Sequence, residues 1–228
     1  MIKKIKMSTK LNETTGYEIA GLTMDLMSKL RKGVISIEEF KNFLIMKTFD
    51  RRKIFGVTCI EEHPKMKFVS SNNLVDELSR EEFYPEQHFV GGKVKYWLGD
   101  NFKKYVLNPV KVISNLPQMS FSKHKFIENI TDEEIMKYFQ ISKSGGLMTR
   151  EEILWTIAFL TSKQPSGDSG ILLTNGYATL IGYMLCDDNV VRAVCVDWFS
   201  GDARWFCDCF DLDSWAAGDE MLSRNEIL

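Results

Sequence analysis

The last 58 residues constrain the fold most. Strand-length apolar runs at Ile171–Thr174, Ala178–Cys186, Val190–Trp198 and Arg204–Phe210 are separated by Asn175-Gly176, Asp187-Asp188-Asn189 and Ser200-Gly201-Asp202. Asn-Gly and Asp- or Gly-bearing junctions supply the tight turns that join antiparallel neighbours. Four such runs with short connections predict a four-stranded antiparallel meander. A sheet of this kind buries one face, and the helices expected upstream are the natural cover.

Those helices announce themselves through their caps. Thr131-Asp-Glu-Glu134 and Thr149-Arg-Glu-Glu152 each place a hydroxyl at the N-cap and a carboxylate three residues on, the reciprocal capping box. Ile153, Ile157 and Leu160 then fall at helical spacing. Further upstream, Ile19, Leu22, Leu26 and Leu30 give an amphipathic helix over 13–31 that stops at Lys32-Gly33. Ser36-Ile-Glu-Glu39 caps a second helix bearing Phe40, Phe43 and Leu44, so residues 13–48 read as a helical hairpin. Short strands are predicted over 54–60 and 66–70, and a short helix over 74–85. A hairpin is predicted over 89–107, with Val94–Trp97 going out and Phe102–Leu107 returning.

The fold class expected is α+β, an N-terminal helical hairpin and mixed region followed by the antiparallel meander. Residues 1–107 and 131–228 form its two parts, with 108–130 connecting them, or the chain is one continuous domain.

Charge is distributed unevenly along the chain. Residues 1–60 hold twelve Lys/Arg against six Asp/Glu, a net +6, and residues 168–228 hold three Arg against eleven Asp/Glu, a net −8. The whole chain carries only −2, so a dedicated polyanion binder is disfavoured while polar steering of partners is not. An apolar fraction of 44% is enough for a substantial core. The five cysteines are an odd number, and no apolar run reaches the ~18 residues a spanning helix needs. The expectation is a cytoplasmic protein with reduced thiols and no membrane partner.

No chemical motif is complete. Cys207 and Cys209 share one face of a predicted strand, with Cys195 and Cys186 nearby, which raises a zinc site. The Cys-x-Cys spacing is unlike a zinc knuckle, and buried thiols are common in cores. Asp197, Asp208 and Asp219 are carboxylates that a metal-dependent enzyme would use. Asp197 and Asp208 interrupt apolar strands and call for a cation, with Arg192 or Arg204 as candidates. No phosphate loop, nucleophile elbow or paired-histidine helix frames His63, His88 or His124. No metal and no cofactor are predicted. Nucleic-acid binding is an alternative, through Lys3, Lys4, Lys6, Lys10, Arg51, Arg52 and Lys53 around the helical hairpin.

The C-terminal segment concentrates aromatic and charged anchors. Trp198, Arg204, Trp205, Trp215, Asp219, Arg224 and Asn225 are the candidate binding residues, because Trp and Arg dominate interface hot spots. The stretch Val194-x-Val196-x-Trp198, Arg204-Trp205, Leu212-Asp-Ser-Trp215-x-Ala-Gly-Asp219 and Ser223-Arg-Asn225 resembles the ends of small uncharacterised bacterial proteins. That resemblance implies a single C-terminal β module, and no assigned activity or catalytic residue comes with it. The function expected is macromolecule binding without catalysis, foremost a protein–protein or inhibitory module.

Overall fold

The structure, a computed structural model, describes residues 63–225 apart from positions 80 and 144. They lie within a unit that spans Glu61–Leu228. The helical hairpin expected over residues 13–48, the strand expected over 54–60 and the basic residues Lys3, Lys4, Lys6, Lys10, Arg51, Arg52 and Lys53 lie outside the described residues.

Both downstream capping boxes form. Thr131 opens helix α2 (Asp132–Tyr138) and Thr149 opens helix α3 (Arg150–Lys163), each hydroxyl accepting from the N3 amide while the N3 glutamate takes the N-cap amide. Helix α1 (Pro85–Phe89) is shorter and starts on proline, whose missing N–H costs nothing at that position. The strands are β1 (Met66–Val75), β2 (Tyr96–Leu98), β3 (Met119–Phe126), β4 (Ile130–Thr131), β5 (Thr179–Leu185), β6 (Val191–Phe199), β7 (Arg204–Asp211), β8 (Ser214–Trp215) and β9 (Glu220–Arg224). Seven of them form one sheet in the order β1-β3-β9-β5-β6-β7-β2, and β4 pairs with β8.

This mixed sheet with few helices replaces the expected α+β arrangement built around a four-stranded meander. Strands β5, β6 and β7 are antiparallel neighbours. The first of the four runs, Ile171–Thr174, is not a strand. Side chains satisfy its backbone instead: Gln164 Oε1 accepts from Leu172 N at 3.0 Å, and Gln164 Nε2 donates back to Leu172 O at 3.1 Å. Thr179 Oγ1 takes Leu173 N, and Lys123 Nζ donates to Ile171 O. With those groups occupied, the place beside β5 goes to β9, which runs parallel to it and joins it to β3.

Two further expectations change for the same reason, pairing between distant segments. Residues 102–107 do not return as a strand against β2. They form a π-helix, Phe102–Leu107, that buries Phe102, Val106 and Leu107. Strand β2 instead lies parallel to β7, with Tyr96, Trp97 and Leu98 opposite Trp205, Phe206 and Cys207. The helix expected over 74–85 is absent. Strand β1 runs on to Val75, and Leu78 and Phe83 bridge to Leu116 and Ile113.

Alternation along the strands splits the core between the two sheet faces. On one face α3 and the π-helix pack Ile153, Leu154, Ile157, Phe102 and Val106 against Val194, Val196, Trp205, Cys207 and Cys209. On the other, α2 and the β4–β8 pair pack Ile135, Ile130 and Trp215 against Leu180, Tyr183, Ala193 and Cys195. Each fully buried Ile or Leu contributes about 1.5–3 kcal/mol. Among the described residues the second cover is smaller and leaves Trp97 and Phe199 of its face exposed.

Candidate functional site

The three C-terminal indoles are interior residues. Trp205 is fully buried and donates from Nε1 to Gln164 O at 3.1 Å. Trp198 packs edge-on to it, with ring centroids 5.2 Å apart, and lies over Gly167. Trp215 is buried on the other face, where Nε1 donates to Asp132 Oδ1 at 2.7 Å. The charged members of the segment also hold structure together. Asp219 takes the amides of Ala178 and Ala216, both at 2.9 Å. Gly218 beside it has φ +109°, and a Cβ there would meet the Tyr177 ring at 2.4 Å. Arg224 donates to Glu152 Oε1 at 2.6 Å, tying β9 to the cap of α3. Asn225 bridges Ser120 and Ser122 on β3. Arg204 stands beside the exposed aromatics of the outer sheet, paired with Asp202.

The open surface is the outer part of the sheet, over β6, β7 and β2. Tyr96 and Leu98 point toward α3, so Trp97 between them points the other way. Its ring stacks on Phe206 with centroids 4.1 Å apart and planes 6° apart, yet it remains 42% exposed. The row continues from Phe206 to its register partner Asp197 on β6. Phe199, two residues on and in the same phase, is 55% exposed. One row away Asp208 faces Cys195. Its carboxylate is set against Gly99, where a Cβ would stand 2.3 Å from Oδ1. The face thus carries an aromatic platform, Trp97, Phe206 and Phe199, interleaved with Asp197 and Asp208.

These aspartates do not meet the arginines expected to neutralise them. Arg192 pairs with Asp188 and Asp211 and lies over the Tyr105 ring, 4.1 Å from its centroid. Arg204 is taken by Asp202. Among the described residues no ion pair reaches Asp197. Partial burial, then the charges of Asp219 and Asp208, push its carboxyl up to about 6. An open cleft of about 500 Å³ is lined by Phe89, Val94, Lys95, Tyr96, Asp202 and Arg204, and includes none of the platform residues.

The other chemical candidates are structural. Cys207 and Cys209 face α3, while Cys195 faces α2, so the four sulfurs do not converge. Burial holds the thiols of Cys195 and Cys207 well up and that of Cys209 at about 12, which disfavours the thiolates zinc requires. Both Asp219 oxygens are committed to amides, and among the described residues no three His, Cys, Asp or Glu side chains are placed to hold a metal ion. His124 Nε2 and Ser223 Oγ meet at 3.0 Å, as a base and nucleophile would. Burial lowers His124 to about 4, however, too weak a base to activate a serine at neutral pH. The pair fastens β9 to β3.

Compared with known proteins, the chain matches no family model, no curated sequence and no solved structure. Among the described residues no helix is long and apolar enough to cross a membrane. Sequence reasoning missed Trp97 and Phe206, although one signal was present. Each is an aromatic in the polar phase of its strand, flanked by residues that face the core.

Proposed function

We propose that this chain is a protein-binding module without catalytic chemistry, and that its contact surface is the open face over β6, β7 and β2. One observation carries the reading. Trp97, stacked on Phe206, stays 42% exposed on a sheet face that the described helices leave uncovered. A stacked indole has little rotamer freedom left to lose, so covering it returns binding energy at low entropic cost. Clustered exposed aromatics beside charged groups are the composition of interface hot spots. Arg204 remains in this surface from the C-terminal candidates. Trp198, Trp205 and Trp215 act behind it by holding the sheet.

The test is capture from native lysate, with nuclease, comparing wild type with Trp97→Ser/Phe199→Ser. The expected result is a stoichiometric, nuclease-resistant protein partner that the double variant loses while keeping its circular dichroism spectrum. Loss of hot-spot aromatics costs about 2 kcal/mol or more each. Partners unchanged by the double variant, or partners that all vanish with nuclease, would overturn the reading.

A further inference from the structure

The ligand chemistry of the open face follows from what stands between its rings. Trp97, Phe206 and Asp197 occupy one continuous row across β2, β7 and β6. Asp208 stands in the next row, and the exposed Phe199 continues the phase of Asp197. The charged groups facing Asp197 are Asp208 from β7 and Asp219 from the turn before β9, with the neutral thiol of Cys195 beside it on β6. Of the cations at this end of the sheet, Arg204 is held by Asp202, and Lys95 lies beside it just before β2. The surface therefore pairs π-faces with carboxylates that lack a counter-charge among the described residues.

We infer that this face docks a basic segment of a partner protein, with an arginine guanidinium lying on the Trp97–Phe206 platform and pairing with Asp197 and Asp208. The inference rests on the binding-face reading and adds the chemistry of the occupant. A guanidinium is the side chain that satisfies both halves of the site. Its plane stacks on an indole face, its fork matches a carboxylate, and its weak hydration makes desolvation cheap. An ammonium gives the charge without the stacking plane. A sugar would use the rings and hydrogen-bond the carboxylates through its hydroxyls, but would leave their charge without a counter-ion. Burial first, and the charges of Asp219 and Asp208 second, raise the Asp197 carboxyl to about 6, and an incoming cation offsets both.

Fluorescence anisotropy with labelled octa-arginine, octa-lysine and an uncharged Gly-Ser octapeptide tests this on the full chain. Wild type is to be compared with Trp97→Ala and Asp197→Asn/Asp208→Asn at two ionic strengths. The expected result is octa-arginine bound several-fold more tightly than octa-lysine, with no binding of the Gly-Ser peptide. Each variant is expected to lose at least tenfold, and high salt to weaken the wild-type complex. Removing the aspartate charges relieves repulsion, so that double variant separates lost binding from lost folding. Octa-arginine binding unchanged by the aspartate substitutions would place it elsewhere on the acidic surface and overturn the inference. Equal affinity for the uncharged peptide would also overturn it. So would a wild-type dimer that Trp97→Ala dissociates, since the occupant would then be a second copy. If octa-arginine fails while the lysate partner is still lost from Trp97→Ser/Phe199→Ser, the cationic inference falls and the binding face stands. Loss of neither would remove both.

Discussion

Asp132 shows how a single residue decides what Trp215 is for. Its carboxylate is fully buried at the start of α2 and accepts three bonds, from Tyr183 Oη at 2.6 Å, Trp215 Nε1 at 2.7 Å and Asp213 N at 2.7 Å. Asp132→Ala strands these donors in the interior, each at about 1–3 kcal/mol, so a loss of at least ~3 kcal/mol is expected from urea denaturation. Trp215→Phe keeps most of the ring and removes one bond, for a smaller loss of about 1 kcal/mol. A Trp215→Phe variant as stable as wild type would return that indole to the list of contact residues. The sequence shows that tryptophans matter here, but not which way each faces. Trp198 and Trp205 fall in the core phase of their strands and Trp97 falls in the polar phase. Phase becomes visible only once the register is known, and a slip of one residue exchanges the faces.

At the scale of elements, what was legible was what is local. The capping boxes at Thr131 and Thr149 are chemistry between residues three apart, and both form where expected. Strands β5 and β6 were visible because a turn of a few residues joins them. Strand β9 was not, since Glu220, Ser223 and Arg224 dilute Met221 and Leu222. Its partners β3 and β5 are distant in sequence, and a composition scan sees no pairing of that range. The π-helix failed in the opposite direction: Phe102-Lys-Lys-Tyr-Val-Leu107 favours a strand by composition, and burial of Phe102 and Val106 on one helical side overrides it.

Strand β9 is also tied to α3 by the Arg224–Glu152 pair, whose side chains are 42% and 10% exposed. Solvent reaches the arginine, so its contribution is modest, at most ~1 kcal/mol. Glu152 also accepts the Thr149 amide, so the cap and the tether share one carboxylate. Thr149→Ala is expected to cost about 1 kcal/mol as a lost N-cap. A double-mutant cycle of Thr149→Ala with Arg224→Ala is expected to be non-additive by about 0.5 kcal/mol or more. Strict additivity would show that cap and tether act independently.

The molecule as a whole carries opposed titrations, and their balance sets how its stability follows pH. Burial lowers His124 to about 4, and burial lowers His88 as well. An unfolded histidine takes its proton near pH ~6.5, so in the window below that the unfolded chain binds more protons than the folded one. The histidine contribution is complete above pH ~6.5 and is lost as pH falls toward 4. Asp197 acts in the other direction. An unfolded aspartate releases its proton near ~3.9, while the folded one keeps it to about 6, so this term is lost as pH rises between those values. Asp188, held at about 2 by its hydrogen bond to Arg192, loses its contribution only in stronger acid.

Two histidines against one half-exposed aspartate give a chain that weakens from pH 7 to pH 4.5. His124→Asn is expected to flatten that slope. Asp197→Asn is expected to steepen it, while raising the urea midpoint at pH 7, where the ionised carboxylate opposes the fold. A lower midpoint at pH 7 for Asp197→Asn would mean that the carboxylate already has a partner, and the face would lose its claim on a cation. A higher midpoint together with loss of octa-arginine binding would show that the chain tolerates an unfavourable charge at the position where a guanidinium is bound, the stability cost expected of a residue kept for binding.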